Sequence, residues 1–245
     1  MYRFFVKEDQ IGEHKIHITG GDVNHIKNVL RLKTGDEICV SDGGIYEYHC
    51  EILEFPEGEV LLEIHYKQEK NLELSSRVYL FQGIPKSDKM DIIVQKAVEL
   101  GVYQIIPVAM KRCVVRLDSK KEENRRKRWN SISESAAKQA GRMIIPEVRP
   151  VMTFESAVKY AADCDVRLMP YEMASGMKET KELLTGIQAG QSIAVFIGPE
   201  GGFAEEEAEL ARESGMKMIT LGKRILRTET AGMTTLSILM FLLEE

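Results

Sequence analysis

The sequence has no paired cysteine motif, no long apolar run and no low-complexity tract, and each absence removes a class of protein. Its four cysteines, Cys39, Cys50, Cys113 and Cys164, are scattered. Neither they nor the five histidines recur at ligand spacings, so no metal site is expected. Cys39 and Cys50 are expected to face each other across a hairpin, held as thiols by a reducing compartment. The apolar stretch at residues 236–243 is far shorter than the roughly 20 residues that span a bilayer. The first residues, MYRFFVKE, lack the apolar run and small-residue cleavage site of a signal peptide. A cytoplasmic protein with no membrane partner is the expectation. The phosphate-binding patterns G-x-G-x-x-G and G-x-x-x-x-G-K-[ST] are missing too.

What is present is an ordinary globular composition, 44% apolar and 29% charged over 245 residues, enough for one large domain or two modest ones. The net charge of −5 does not advertise a nucleic-acid binder. The distribution of charge says more than the sum. Between positions 111 and 128 lie Lys111, Arg112, Arg116, Lys120, Lys121, Arg125, Arg126, Lys127 and Arg128, against Asp118, Glu122 and Glu123. Such a run is either a solvated helix face or a phosphate-binding patch.

The first 70 or so residues read as mostly β. Runs at 37–40 and 45–55 are joined by the turn Ser41-Asp42-Gly43-Gly44, and a third run covers 60–66. Residues 22–32 have helical spacing, with Val23, Ile26, Val29 and Leu30 on one face. Small barrels of short strands with one helix are common RNA-binding scaffolds. Arg3, Lys7, Lys27, Arg31 and Lys33 would meet phosphates there. The polar stretch 67–76 reads as a linker. Beyond it, short apolar strands alternate with amphipathic helices, the pattern of an α/β domain. Strands are predicted at 78–84, 103–108, 166–169, 193–198 and 217–221. Helices are predicted at 88–100, 119–140, 205–214 and 230–243.

Two loops carry the chemistry. The apolar strand Ile193-Ala194-Val195-Phe196-Ile197 opens into Gly198-Pro199-Glu200-Gly201-Gly202-Phe203. Glycines after a strand allow a ligand close to the backbone. A helix N-terminus usually favours an anion, but the following helix begins Ala204-Glu205-Glu206-Glu207. Those carboxylates repel a phosphate and favour a nucleoside that lacks one, such as S-adenosylmethionine; they also suit the helix dipole. The second loop, Leu221-Gly222-Lys223-Arg224-Ile225-Leu226-Arg227-Thr228-Glu229, crowds charge before an apolar helix. Thr228 would cap that helix, but capping does not require three cations. Trp129 reads as a core anchor rather than a base-stacking platform.

Residues 197–203 (IGPEGGF) and 221–231 (LGKRILRTETA) resemble the signature of the RsmE-type 16S ribosomal RNA uridine-N3 methyltransferases, members of the SPOUT superfamily. The likeness extends through 97–101 (AVELG), 138–142 (KQAGR) with Pro146, and 25–36 (HIKNVLRLKTGD), so it covers essentially the whole chain. Val98 departs from it, standing where the family usually has threonine. The resemblance implies an α/β protein with a PUA-like RNA-binding β-barrel over residues 1–70. A SPOUT methyltransferase domain over 75–245 would follow, its C-terminal part threaded into a trefoil knot. Nothing in periodicity suggests that knot, and chains rarely thread loops. The resemblance also implies a homodimer, and S-adenosylmethionine held bent among loops 168–172, 197–202 and 221–231. The partner would be 16S ribosomal RNA or the small ribosomal subunit.

On that footing Leu168, Pro170, Ile197, Gly198, Pro199, Gly202, Leu221, Gly222, Ile225 and Leu226 would bind the cofactor. Glu229 or Glu200 would act as base or orienting acceptor, and Arg227 as donor to the uracil or its phosphate. Arg3, Lys27, Arg31, Arg112, Arg125, Arg142 and Arg224 would hold RNA. Three alternatives remain open: a related enzyme acting on a ribose 2′-hydroxyl or another base, a non-catalytic RNA-binding assembly factor, and an ordinary nucleotide-binding enzyme. The acidic turn disfavours the last.

Overall fold

The computed structural model describes residues 1–174 and 176–244. They cluster into two compact units, Met1–Glu73 with Ala137–Ile145, and Leu74–Ala136 with the chain from Pro146 onward.

The first unit contains β1 (Tyr2–Phe5), β2 (Lys15–Thr19), α1 (Gly21–Asn24), β3 (Glu37–Ser41), β4 (Tyr46–Glu54) and β5 (Glu59–Glu69). The sheet order is β1-β3-β4-β5-β2, with β1 parallel to β3 and the other pairs antiparallel. Among the described residues the pairing does not close from β2 back to β1, so the expected barrel is a curled five-stranded sheet. Alternation sets the core: in β2 Ile16 and Ile18 turn inward, and Phe4, Ile26, Ile38, Val40, Ile52, Val60 and Leu62 meet them. Each fully buried side chain of this size contributes about 1.5–3 kcal/mol.

Three expectations change here. The helix predicted at 22–32 is one α turn continued by a π-helical turn, His25–Val29. Leu30 N–H reaches back five residues to the His25 carbonyl, and Arg31, at φ 56°, ends the helix in the left-handed region. The polar stretch taken as a linker begins as strand, because β5 runs on to Glu69. Cys39 pairs with His49 and Cys50 with Ile38, so the two thiols are one register apart and point to opposite faces. Burial pushes the Cys50 thiol up to about 12.

Residues 137–145 are tied to this unit by polar contacts. The Ser41 hydroxyl donates to the Met143 carbonyl at 3.0 Å, and Lys138 pairs with Asp22 at 2.7 Å. Arg142, 5% exposed, forms a bidentate ion pair with Glu73, which also accepts from the Met143 N–H at 2.8 Å.

The second unit runs β6 (Arg77–Gly83), α2 (Lys89–Glu99), β7 (Gln104–Ala109), α3 (Ser119–Ala140), β8 (Glu147–Val148), β9 (Met152–Thr153) and α4 (Phe154–Tyr160). It continues with β10 (Val166–Pro170), α5 (Met177–Thr185), β11 (Ser192–Ile197), α6 (Glu205–Glu213), β12 (Lys217–Ile219) and α7 (Thr228–Leu243). The strands form one parallel sheet, β12-β10-β11-β6-β7-β8, with β9 also on β7. Strands covered on both faces read as continuous apolar runs, as β11 does. Phe81 of β6 and Phe196 of β11 lie in register and stack at 4.3 Å. Ile106, Val108, Phe154, Met169, Ala208 and Met216 complete that core. Trp129 is 2% exposed, as expected of a core anchor.

Because every strand runs the same way, the loops after β6, β7, β10, β11 and β12 open at one carboxyl edge. Ligands of open α/β sheets bind at that edge.

Candidate functional site

At this edge lies a cavity of about 460 Å³, within the roughly 300–1,000 Å³ common for small-molecule sites. Three neighbouring strands supply its walls. β10 ends in Pro170, Tyr171 and Glu172; β11 ends in Ile197, Gly198, Pro199, Glu200, Gly202 and Phe203; and β12 leads into Thr220, Leu221, Gly222, Ile225, Leu226 and Arg227. The lining thus contains every expected cofactor residue except Leu168, which is wholly buried inside β10. It also contains Phe203, Thr220 and Lys89, which lie outside the three loops expected to hold the cofactor.

Two glycines make the loop geometry feasible. Gly202 has φ 67°, a conformation L side chains rarely adopt. At the end of β6, a Cβ on Gly83 would stand 2.7 Å from Pro199, so only glycine lets the two loops approach. Thr228 does not cap α7. It is the helix's first residue, and its hydroxyl donates to the Gly198 carbonyl at 2.6 Å while accepting from Gln82 at 2.8 Å. The start of α7 is thereby fastened to the glycine loop.

The acidic turn divides its labour. Glu207, 4% exposed, accepts from the backbone N–H groups of Ala204 and Lys111, both at 2.8 Å. It caps α6 and braces the loop after β7. Glu205 and Glu206 are exposed, and Glu206 pairs with Lys111 at 3.2 Å. From the same loop, Arg112 donates to the Gly201 carbonyl at 3.0 Å.

Of the expected catalytic residues, Glu200 and Arg227 line the cavity and Glu229 does not. Lys89 Nζ bridges the two carboxylates, 3.1 Å from Glu200 and 3.2 Å from Glu229. Burial alone would raise the Glu200 carboxyl. Its own backbone N–H, Lys89 and the Lys86 N–H outweigh that and hold it below the usual range. The ion pair with Glu200 first, and then that with Glu229, holds the Lys89 ammonium above the ordinary lysine value against the opposing effect of burial. One signal for Lys89 was available in the sequence: a lysine in the first turn of a helix opposes the dipole, so something else must favour it.

The cations expected to hold RNA fall into two sets. Lys27, Arg31, Arg112 and Arg224 are exposed and Arg125 is half-buried. Arg3 and Arg142 are held internally, Arg3 on the buried carboxylate of Glu47 and Arg142 on Glu73. The β3–β4 hairpin also gathers Cys39, Glu47 and His49 within 4.8 Å, a cluster that sequence spacing did not suggest. Arg3 and Lys70 already neutralise Glu47, which disfavours a divalent cation there.

The RNA methyltransferase domain family matches residues 72–240, and the RNA methyltransferase PUA domain family matches residues 18–64. A ribosomal RNA small subunit methyltransferase E from Bacillus subtilis (strain 168) is 37% identical over 98% of this chain and 96% of its own. The crystal structure of a ribosomal RNA small subunit methyltransferase E from Neisseria gonorrhoeae, bound to S-adenosyl methionine, superposes with a TM-score of 0.87. It shows 32% identity and covers 99% of this chain and 98% of that one. A putative methyltransferase from Legionella pneumophila with bound SAM also gives 0.87, at 30% identity over 97% and 96% of the two chains.

Proposed function

The chain belongs to the RNA methyltransferase family that includes the ribosomal RNA small subunit methyltransferases E, and on that premise we propose that it moves a methyl group from S-adenosylmethionine to N3 of a uridine in 16S ribosomal RNA. The observation that carries the proposal is the cavity at the carboxyl edge, bounded by the loops of β10, β11 and β12. Its residues suit this cofactor. Pro170, Ile197, Leu221 and Leu226 offer an apolar bed for adenine, and the carboxylates of Glu172 and Glu200 suit a cationic sulfonium and amino group. The exposed carboxylates that begin α6 suit a nucleoside without phosphate. S-adenosylmethionine bound there supplies a methyl carbon on a positively charged sulfur.

The chain's task is alignment and proton removal. Glu200 takes the N3 proton, the electron pair left on nitrogen forms the new bond to carbon, and the carbon–sulfur pair stays on sulfur. Arg227, exposed at the rim, donates to the uracil or its phosphate. Lys27 and Arg31 in the first unit, and Arg112, Arg125 and Arg224 in the second, grip RNA phosphates. Arg3 and Arg142 brace the first unit from within, through Glu47 and Glu73. A ribosomal RNA substrate supports a cytoplasmic site of action.

Two further features belong to the same proposal. The path after β12, back to seat Thr228 against Gln82 and Gly198, supports a trefoil knot. A homodimer is supported by α7, which carries Phe241 at 82% exposure and packs on α2, where Ile92 is 45% exposed. Large exposed apolar side chains on two packed helices favour an interface.

Calorimetric titration with S-adenosylhomocysteine, run beside NADH and ATP, tests the site, and nucleoside mass spectrometry of methylated small subunits tests the acceptor. One-per-chain binding of the first ligand alone, with N3-methyluridine as product, is expected. A folded protein that ignores S-adenosylhomocysteine would overturn the enzyme reading, and a methylated ribose would overturn the acceptor.

A further inference from the structure

The geometry points to Lys89 as the residue that positions Glu200 for proton transfer, with Glu229 acting only through it. This rests on the methyltransferase reading above and assigns parts within it. Glu200 faces the cavity; Glu229 does not. The Oε2 atom of Glu229 is buried and has no aligned hydrogen-bond donor, although Lys89 Nζ stands 3.2 Å away. A carboxylate in that position acts as a counter-ion for the lysine rather than as a group for the substrate. Lys89 itself completes the line to Glu200 at 3.1 Å.

The local backbone is built to hold this arrangement. Ser87, a non-glycine residue at φ 54°, turns the chain between β6 and α2 through the left-handed region. Such strain persists where surrounding contacts over-determine it, and it concentrates at functional sites. That turn aims the Lys86 N–H at both Glu200 oxygens, 3.2 and 3.3 Å away, and starts α2 with Lys89. The carboxylate is thus fixed from two directions by one short loop, and the far side of the lysine is fixed by α7.

The charged and titratable groups around Glu200 come from four stretches of chain. Lys86 and Lys89 stand at the start of α2, and Glu229 in the first turn of α7. Arg112 and Cys113 follow β7, and Glu172 follows β10 beside Gly202. Among them Lys89 makes the ion pair to Glu200. Without it the carboxylate is held less firmly as an anion, so Glu200 protonates at higher pH and its orientation relaxes.

The test compares K89M, K89R, E229Q and the K89M/E229Q double variant with the wild type. Two quantities are read: affinity for S-adenosylhomocysteine by calorimetry, and single-turnover methylation of small ribosomal subunits from about pH 5 to about pH 9. K89M should keep its cofactor affinity, lose on the order of 10²-fold in plateau rate, and show an acid limb displaced to higher pH. K89R should recover most of the rate and return the limb. E229Q should move the limb the same way by less, and the double variant should be no slower than K89M, because the two act in one line. A K89M limb that stays in place, or losses that multiply in the double variant, would overturn the proposal. If K89M does not fold, E229Q carries the test, and an unmoved limb there overturns it equally. The limb is read on whichever methylated nucleoside the wild type makes, so an acceptor other than uridine N3 leaves the Lys89 outcome readable.

Discussion

In the N-terminal unit Glu47 is enclosed by Arg3, Lys70, Gln68 and His49, and Glu73 by Arg142 and the Met143 N–H. At the carboxyl edge of the parallel sheet Lys223, Arg224 and Arg227 stand exposed, and none makes an ion pair among the described residues. The same residue types therefore do opposite work in the two regions. Buried ion pairs tolerate the loss of one partner badly, because the other is left charged in a medium that solvates it poorly. Exposed cations contribute little to stability and remain available to a polyanion. An arginine on its own says nothing of which it is; the carboxylate that meets it decides.

Three experiments sharpen or break that contrast. The largest effect belongs to the buried pair. Arg142→Ala leaves the half-buried Glu73 with only backbone donors and should cost about 3 kcal/mol in urea unfolding, whereas replacing both residues with leucine should cost clearly less. Equal losses in the two variants would mean that Arg142 is held by packing rather than by charge. Next come four cations in the first turns of α3, two of them exposed and two half-buried. Converting Lys120, Lys121, Arg125 and Arg126 to alanine should leave the melting temperature nearly unchanged. RNA affinity should weaken, and the slope of log affinity against log salt should flatten by about three to four. An unchanged slope would return that helix to a merely solvated face.

The smallest effect is the pH response of Glu47. Burial by itself would raise its carboxyl, but hydrogen bonds from Lys70 and Gln68 and the charge of Arg3 outweigh it, so the folded value lies below the model-peptide 4.5. The sign follows from linkage: the stabilisation is complete above about pH 4.5 and is lost as pH falls through the lower folded value. Glu47→Gln should therefore flatten the acid side of the stability curve, read by denaturant unfolding at a series of pH values. A curve that keeps its acid slope would assign that slope to other carboxylates.

Much of the second unit was legible. α3 has the bounds predicted for it, and β11, α6 and α7 fall within two residues of expectation, because long periodic or wholly apolar segments determine their own type. Nine of the ten expected cofactor residues line the cavity for the same reason: glycine loops after apolar strands have few alternative uses. Short elements were harder. α4, of 7 residues, offers too few turns for a period to stand out, and α5, which lacks the run of three acidic residues that opens α6, was not anticipated either. The π turn after α1 was missed because Val23, Ile26, Val29 and Leu30 suit an α-helix equally well. Lys89 went unnoticed as a site residue because its partners lie more than 100 positions away.

The sequence by itself determined the class of each half, the glycine loop, the cofactor chemistry that a non-phosphate nucleoside implies, and the likeness to a methyltransferase family. Those properties reside in local composition and spacing, where neighbours along the chain already constrain one another. The tertiary structure decided which cations are free, which of two carboxylates faces the cavity, and that a lysine from α2 joins them. Those depend on strands and loops brought together across long chain separations, where burial and a 3 Å contact, rather than residue type, determine what a charge can do.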